Sequence, residues 1–79
     1  MHEDYPTFLF ESESDWRNWL SHNSKKYNGL WLKIAKKDSQ FSSVSYSDAV
    51  DSALCYGWID GQRRKLDEDF FLQKFTPRR

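Results

Sequence analysis

The chain has one cysteine, Cys55, and two histidines, His2 and His22. A single cysteine closes no internal disulfide, which fits a reducing compartment. No Cys/His set has zinc-ligand spacing, and a cysteine–histidine nucleophilic pair has little to build on. Net charge is also missing: 12 basic residues balance 12 acidic ones. A dedicated duplex DNA binder normally carries a basic excess, so that class starts at a disadvantage. No run approaches the ~18–20 apolar residues that span a bilayer. The start, Met1-His2-Glu3-Asp4, is acidic and lacks the apolar segment of a secretory signal. The expectation is a soluble cytoplasmic protein without a membrane span, internal repeat or low-complexity tract.

Aromatic residues, in contrast, are abundant. Four Trp, four Tyr and six Phe make up 18% of 79 residues. At this length one domain, residues 1–79 with 1–6 flexible, sits near the lower limit for a core without staples. Large rings bury much area per residue, and so many of them leave a few for recognition.

Local patterns order the elements. Thr7-Phe8-Leu9-Phe10 is a short β-prone run after Pro6, predicted as an edge strand. Ser12 and Asp15 form a capping-box pattern, followed by Trp16, Trp19, Leu20 and Tyr27 on one helical face. Lys25 and Lys26 are expected in the last turn, with Asn28-Gly29 as the stop. In the strand Leu30–Lys36, Leu30, Leu32 and Ile34 face the core while Trp31, Lys33 and Ala35 point away. A polar loop, Asp38–Ser43, precedes a second capping box, Ser45/Asp48. The second helix carries an apolar stripe of Ala49, Val50, Ala53 and Leu54, with Tyr46 one turn earlier. Gly57 supplies its left-handed exit. Trp58–Leu66 and Phe70–Thr76 then read as a hairpin around Asp67-Glu68-Asp69. The predicted fold is α+β: two helices on a small, mostly antiparallel sheet, in the order β-α-β-α-β-β.

Several words recur in a known order. They are Trp19-Leu20, Gly29-Leu30-Trp31-Leu32, Asp48-Ala49-Val50, Ala53-Leu54-Cys55-Tyr56-Gly57-Trp58-Ile59-Asp60-Gly61, Leu66-Asp67 and Phe75-Thr76-Pro77-Arg78-Arg79. On these, residues 8–79 resemble the YdeI/OmpD-associated (bacteriocin-protection) family, with Gly-Trp-Ile-Asp-Gly the most specific part. The resemblance implies a bacterial α+β domain with a stress or protection role, and it assigns no catalytic residue. Members continue past the Pro-Arg-Arg with a Ser/Trp-rich segment, an asparagine and further helix. The chain is then either a short member or a piece lacking that segment; in the second case an exposed sheet face favours self-association.

Strict strand alternation puts Trp58, Asp60, Gln62 and Arg64 on one face and Ile59, Gly61, Arg63 and Lys65 on the other. On such a face Trp58 stacks on a planar ligand, Arg64 forks two oxygens and Asp60 orients the arginine. Arg78 and Arg79 join from the neighbouring strand's end, with Arg63 and Trp31 as further candidates. The competing view is that Trp58 caps the core, Asp60 pairs an arginine and the remaining charges are solvated. Gly61 inside a strand marks a bulge or a close backbone approach. Cys55 is expected to be buried and structural. Asp67-Glu68-Asp69 lacks the ligands of a calcium loop, and no metal site, cofactor or catalytic constellation is predicted.

The first expectation is therefore a non-enzymatic module that binds a small anionic ligand or an acidic segment. One alternative is a protein-interaction domain in protection against envelope stress or antimicrobial peptides. Another is a single-strand nucleic-acid platform, built from Lys33-Lys36-Lys37, Arg63-Arg64-Lys65 and Arg78-Arg79 if these gather with Trp31 on one sheet face. Charge sidedness decides that last case more than the neutral total does.

Overall fold

In a computed structural model, residues 5–78 are described. Residues 1–4, within the segment expected to be flexible, and the candidate Arg79 lie outside the described residues. The elements are β1 (Thr7–Leu9), α1 (Glu13–Asn23), β2 (Leu30–Ala35), α2 (Tyr46–Cys55), β3 (Trp58–Lys65) and β4 (Phe70–Pro77). The predicted order is observed. Residues 5 and 6 are held against the sheet: Trp31 N–H donates to the Pro6 carbonyl at 2.8 Å, and Lys74 lies over the Tyr5 ring.

The sheet order is β1-β2-β4-β3. β4 runs antiparallel to both β2 and β3, whereas β1 pairs with β2 in parallel. A parallel pair needs a crossover, and α1 supplies it. α2 is a second crossover, between β2 and β3, and β4 fills the one-strand gap it leaves. Both helices pack on the same side, so the thin dimension is only 16 Å, room for one sheet and one helical layer.

Two side-chain caps start the helices as the sequence predicts. Ser12 Oγ accepts from Asp15 N–H, and Ser45 Oγ accepts from Asp48 N–H, both at 3.2 Å. The first helix ends earlier than expected, with Ser24 N–H on the Leu20 carbonyl. Lys25, Lys26 and Tyr27 therefore follow the helix in a turn, and Tyr27 still packs on the core. Gly29 marks a close approach rather than the helix stop. Its φ is +151°, and a Cβ there would stand 2.9 Å from Thr76 Cγ2 and 3.0 Å from the Phe75 carbonyl. Gly57, at φ +76°, is the left-handed exit from α2.

Between the layers lie Trp16, Leu20, Leu30, Leu32, Ile34, Ala49, Ala53, Trp58 and Phe75. Trp16 and Trp19 stack at 5.8 Å, and the Trp16 indole N–H donates to the Ala49 carbonyl. The apolar stripe of α2 is narrower than predicted. Ala49 and Ala53 are buried, whereas Leu54 is 53% exposed and Tyr46 lies at the rim. The helix meets α1 through small side chains, and Ser52 joins that contact by donating to Glu13 Oε2 at 2.9 Å. Cys55 follows Leu54 to the surface, contrary to the expectation of a buried thiol. Among the described residues no helix is long and apolar enough to cross a membrane.

Candidate functional site

The hairpin register determines what each sheet face carries. Trp58 pairs with Pro77, Ile59 with Thr76 and Asp60 with Phe75; pairing resumes with Arg63 opposite Gln73 and Arg64 opposite Leu72. Gly61 and Gln62 thus stand against one position of β4, a bulge of the kind that Gly61 suggested. The period-two alternation slips by one residue there. Arg63 moves to the helix side with Trp58 and Asp60, and Arg64 moves to the open side with Ile59. The expected common face of Trp58, Asp60, Gln62 and Arg64 does not form.

Gln73 holds the bulge. It is a polar side chain only 2% exposed, and its Nε2 donates to the carbonyls of Gly61 at 2.9 Å, Gln62 at 3.2 Å and its neighbour Lys74 at 3.3 Å. A bulge frees ladder carbonyls, and burying them without a donor is costly. The Gln73 amide is what makes this kink affordable.

On the helix side the candidates separate. Trp58 is 1% exposed, edge-on to Trp19, with its indole N–H on the Ser24 carbonyl at 3.2 Å. It is a core residue, not a stacking platform. Asp60 accepts a 2.8 Å hydrogen bond from the Tyr46 hydroxyl, which pushes the Tyr46 phenol above its ordinary pKa. Arg63 lies between two rings, 5.0 Å from the centre of Tyr46 and 4.4 Å from that of Phe71. Beside it a shallow cleft of about 570 Å³ is lined by Lys36, Lys37, Arg63, Lys65 and Phe71.

The open side, which no helix covers, brings together the other candidates. Arg64 reaches across β4 and places its guanidinium 4.7 Å from the centre of the Trp31 ring. Lys74, the cross-strand partner of Trp31, lies 5.9 Å from the same ring and 4.7 Å from Tyr5. Lys33 sits 4.7 Å from the centre of Phe70, which stacks on Phe41 at 5.5 Å. Trp31 is only 8% exposed despite facing away from the helices, because long cationic side chains lie over it. Each such contact at an exposed site is worth about 0.5–1 kcal/mol. At the end of this face Arg78 lines a cleft of about 530 Å³ with Tyr5, Ile59 and Lys74. Arg78 therefore joins Lys74, not Trp58.

Charge is divided between the layers. The helices carry Glu13, Asp15, Asp48 and Asp51 against Arg17 alone. The strand positions of the open face carry Lys33, Arg64 and Lys74 and no carboxylate. Among the described residues the one ion pair is Arg17–Glu13, so neither Lys33 nor Arg64 is neutralised by a described carboxylate at contact distance. Asp67, in the turn beyond this face, accepts the backbone N–H groups of Asp69 and Phe70, which hold its carboxyl below the usual range; Lys33 and Lys36 add smaller pulls in the same direction.

Tyr5, Phe70 and Lys74 were not singled out by sequence. Their roles depend on β4 lying between β2 and β3, and only the hairpin partners Trp58–Leu66 and Phe70–Thr76 were readable beforehand. No group of three or more His, Cys, Asp or Glu among the described residues is placed to hold a metal. His22 Nδ1, where protonated, donates to the Asn18 carbonyl at 2.9 Å and lies 3.1 Å from the Ser21 hydroxyl, on the exposed side of α1.

Residues 8–79 match the family described as a domain of unknown function (DUF8412), and the chain belongs to it. No curated protein and no solved structure matches the chain.

Proposed function

We propose that the protein is a binding module for an anionic ligand, and that the ligand docks on the open sheet face around Trp31 and Arg64. One observation carries this reading: the charged strand residues of that face, Lys33, Arg64 and Lys74, are all cations laid over aromatic rings, while the carboxylates of the helices stand on the opposite side. A face of one sign on a neutral protein concentrates attraction for anions where the total charge does not. The Arg64 guanidinium offers paired donors that match carboxylate or phosphate oxygens. Arg78 extends the same reading toward the end of the sheet, whereas the cleft of Lys36, Lys37, Arg63 and Lys65 lies on the helix side and is no part of this face.

The test is a titration of the 79-residue chain with polyphosphate, polyglutamate and a short oligonucleotide, followed by amide and indole NMR. Saturable shifts centred on Trp31, Arg64 and Lys74, lost in an Arg64→Gln/Lys33→Gln variant that remains folded at the titration temperature, support the site. Shifts centred instead on Trp58 and Asp60, or no saturable shift with any probe, count against it.

A second reading has its own observation. Leu54 and Tyr56 are exposed at the end of α2, with Tyr46 at its start, and apolar residues gathered at a surface fit a protein partner. Together with the resemblance to the YdeI/OmpD-associated family, this supports an interaction domain in protection against envelope stress or antimicrobial peptides. Protection of bacterial cells from such a peptide by the wild-type chain, and its loss with Leu54→Arg, would support it; equal protection by both would remove this surface.

A further inference from the structure

We infer that the anion taken by the open face is single-stranded nucleic acid, with Trp31 as the base-stacking platform; this rests on the anionic-ligand reading above and narrows it. The starting point is how Trp31 is covered. A tryptophan on a helix-free sheet face is normally exposed, yet this ring is buried beneath the side chains of Arg64 and Lys74. Both covers are long, flexible and cationic, and both arise from strands β3 and β4 rather than from a packed layer. An incoming phosphate attracts the same groups that cover the ring. Drawing Arg64 and Lys74 onto phosphates uncovers a large π-face, and what replaces them there must be flat.

A nucleotide chain supplies both parts in one molecule: an anionic backbone for the cations and planar bases for the vacated ring. An acidic peptide supplies only the first. Uncovering Trp31 without a base to cover it leaves the ring in water, so an acidic peptide takes the cations at the cost of exposing the ring. A duplex presents its phosphates but keeps its bases stacked on one another. Phe70 extends the platform, since Lys33 covers it in the same manner and Phe41 stacks beside it. Two rings beneath cations, on neighbouring antiparallel strands of one face, suit two bases of an extended strand.

The experiment compares three probes on the full chain under one low-salt condition: a short oligothymidylate, an abasic phosphodiester of the same length and polyglutamate. Affinity is read by anisotropy, and the Trp31 indole N–H by NMR. The expected result is that oligothymidylate binds about tenfold or more tightly than the abasic strand, as the loss of base stacking implies. The Trp31 indole resonance should move furthest with the probe that has bases, because the other two only draw the cations off the ring. Trp31→Ala should lower oligothymidylate affinity to the abasic level while Trp31→Phe retains most of it. If Trp31→Ala does not fold, the wild-type comparison of probes and the indole shift decide alone.

Equal binding of the abasic strand and oligothymidylate overturns the nucleic-acid assignment and leaves the anionic-ligand reading standing. Binding of polyglutamate with no binding of oligothymidylate does the same and makes an acidic segment the occupant. Failure of all three probes overturns both.

Discussion

Arg64 and Trp31 lie on strands separated by β4, yet the guanidinium sits 4.7 Å from the centre of the indole ring. Their meeting depends on the bulge at Gly61–Gln62, without which Arg64 would point toward the helices. This contact is worth about 0.5–1 kcal/mol at an exposed site. Arg64→Gln should therefore lower stability by no more than about 1 kcal/mol, as measured by urea unfolding, while weakening binding of a polyanion. The salt dependence of binding should also flatten, by about 0.7 in the logarithmic slope if one single-strand phosphate contact is lost. An unchanged slope would place Arg64 outside the interface.

Gln73 is the residue on which the bulge depends. Replacing it with leucine leaves the Gly61 and Gln62 carbonyls without the Nε2 donor in a site that is 2% exposed at residue 73. A cost of about 1–3 kcal/mol follows from the unsatisfied acceptors. Amide shifts should spread along β3 from Asp60 to Arg64, and ligand affinity should fall because Arg64 loses its fixed direction. If Gln73→Leu is as stable as wild type and leaves β3 unmoved, the side chain does not hold the bulge.

Trp58 gives the complementary case. Its indole N–H bonds to the Ser24 carbonyl and its ring fills the core beside Trp19. Trp58→Phe should cost on the order of 1–3 kcal/mol through lost packing and an unpaired carbonyl. Its affinity for anions, once corrected for the folded fraction, should match wild type. A selective loss of affinity in a stable Trp58→Phe protein would return Trp58 to the binding site.

The turn at Asp67 carries a pH signature. Its folded-state carboxyl is held low, chiefly by the N–H groups of Asp69 and Phe70. A depressed pKa means that the stabilisation is present above the unfolded value, near 4 for an aspartate, and disappears as pH falls through the folded value. Asp67→Ala should thus be less stable than wild type at neutral pH, with the gap closing under acid conditions below about pH 4. Denaturant melts of both proteins across that range provide the check; a gap that widens in acid would reverse the assignment.

Much of the fold could be read from local chemistry. Ser12 and Ser45 announced both helices, Gly57 marked the exit from α2, and alternation along Leu30–Ile34 separated the two faces of β2. These are short-range signals, each complete within a few residues. The site was less legible because it depends on register. Gly61 suggested a bulge, but the shift it imposes exchanges Arg63 with Arg64, and strict alternation placed both on the wrong sides. Trp58 followed from the same alternation, whereas its burial comes from the end of α1, more than 30 residues away in sequence. The exposure of Leu54 and Cys55 reflects a close approach of α1 and α2 through Ala49, Ser52 and Ala53, which helical periodicity alone does not reveal. Sidedness of charge became visible only once β4 had taken its place between β2 and β3.

The most direct measurement is to follow the four indole N–H resonances during titration with a polyanion. Trp16 and Trp58 donate to backbone carbonyls inside the fold, so they serve as internal references. The account predicts that Trp31 moves saturably together with the Arg64 side-chain signals, while Trp16 and Trp58 stay in place. Movement of Trp58 with Trp31 stationary would contradict it, and would put the ligand on the helix side of the sheet.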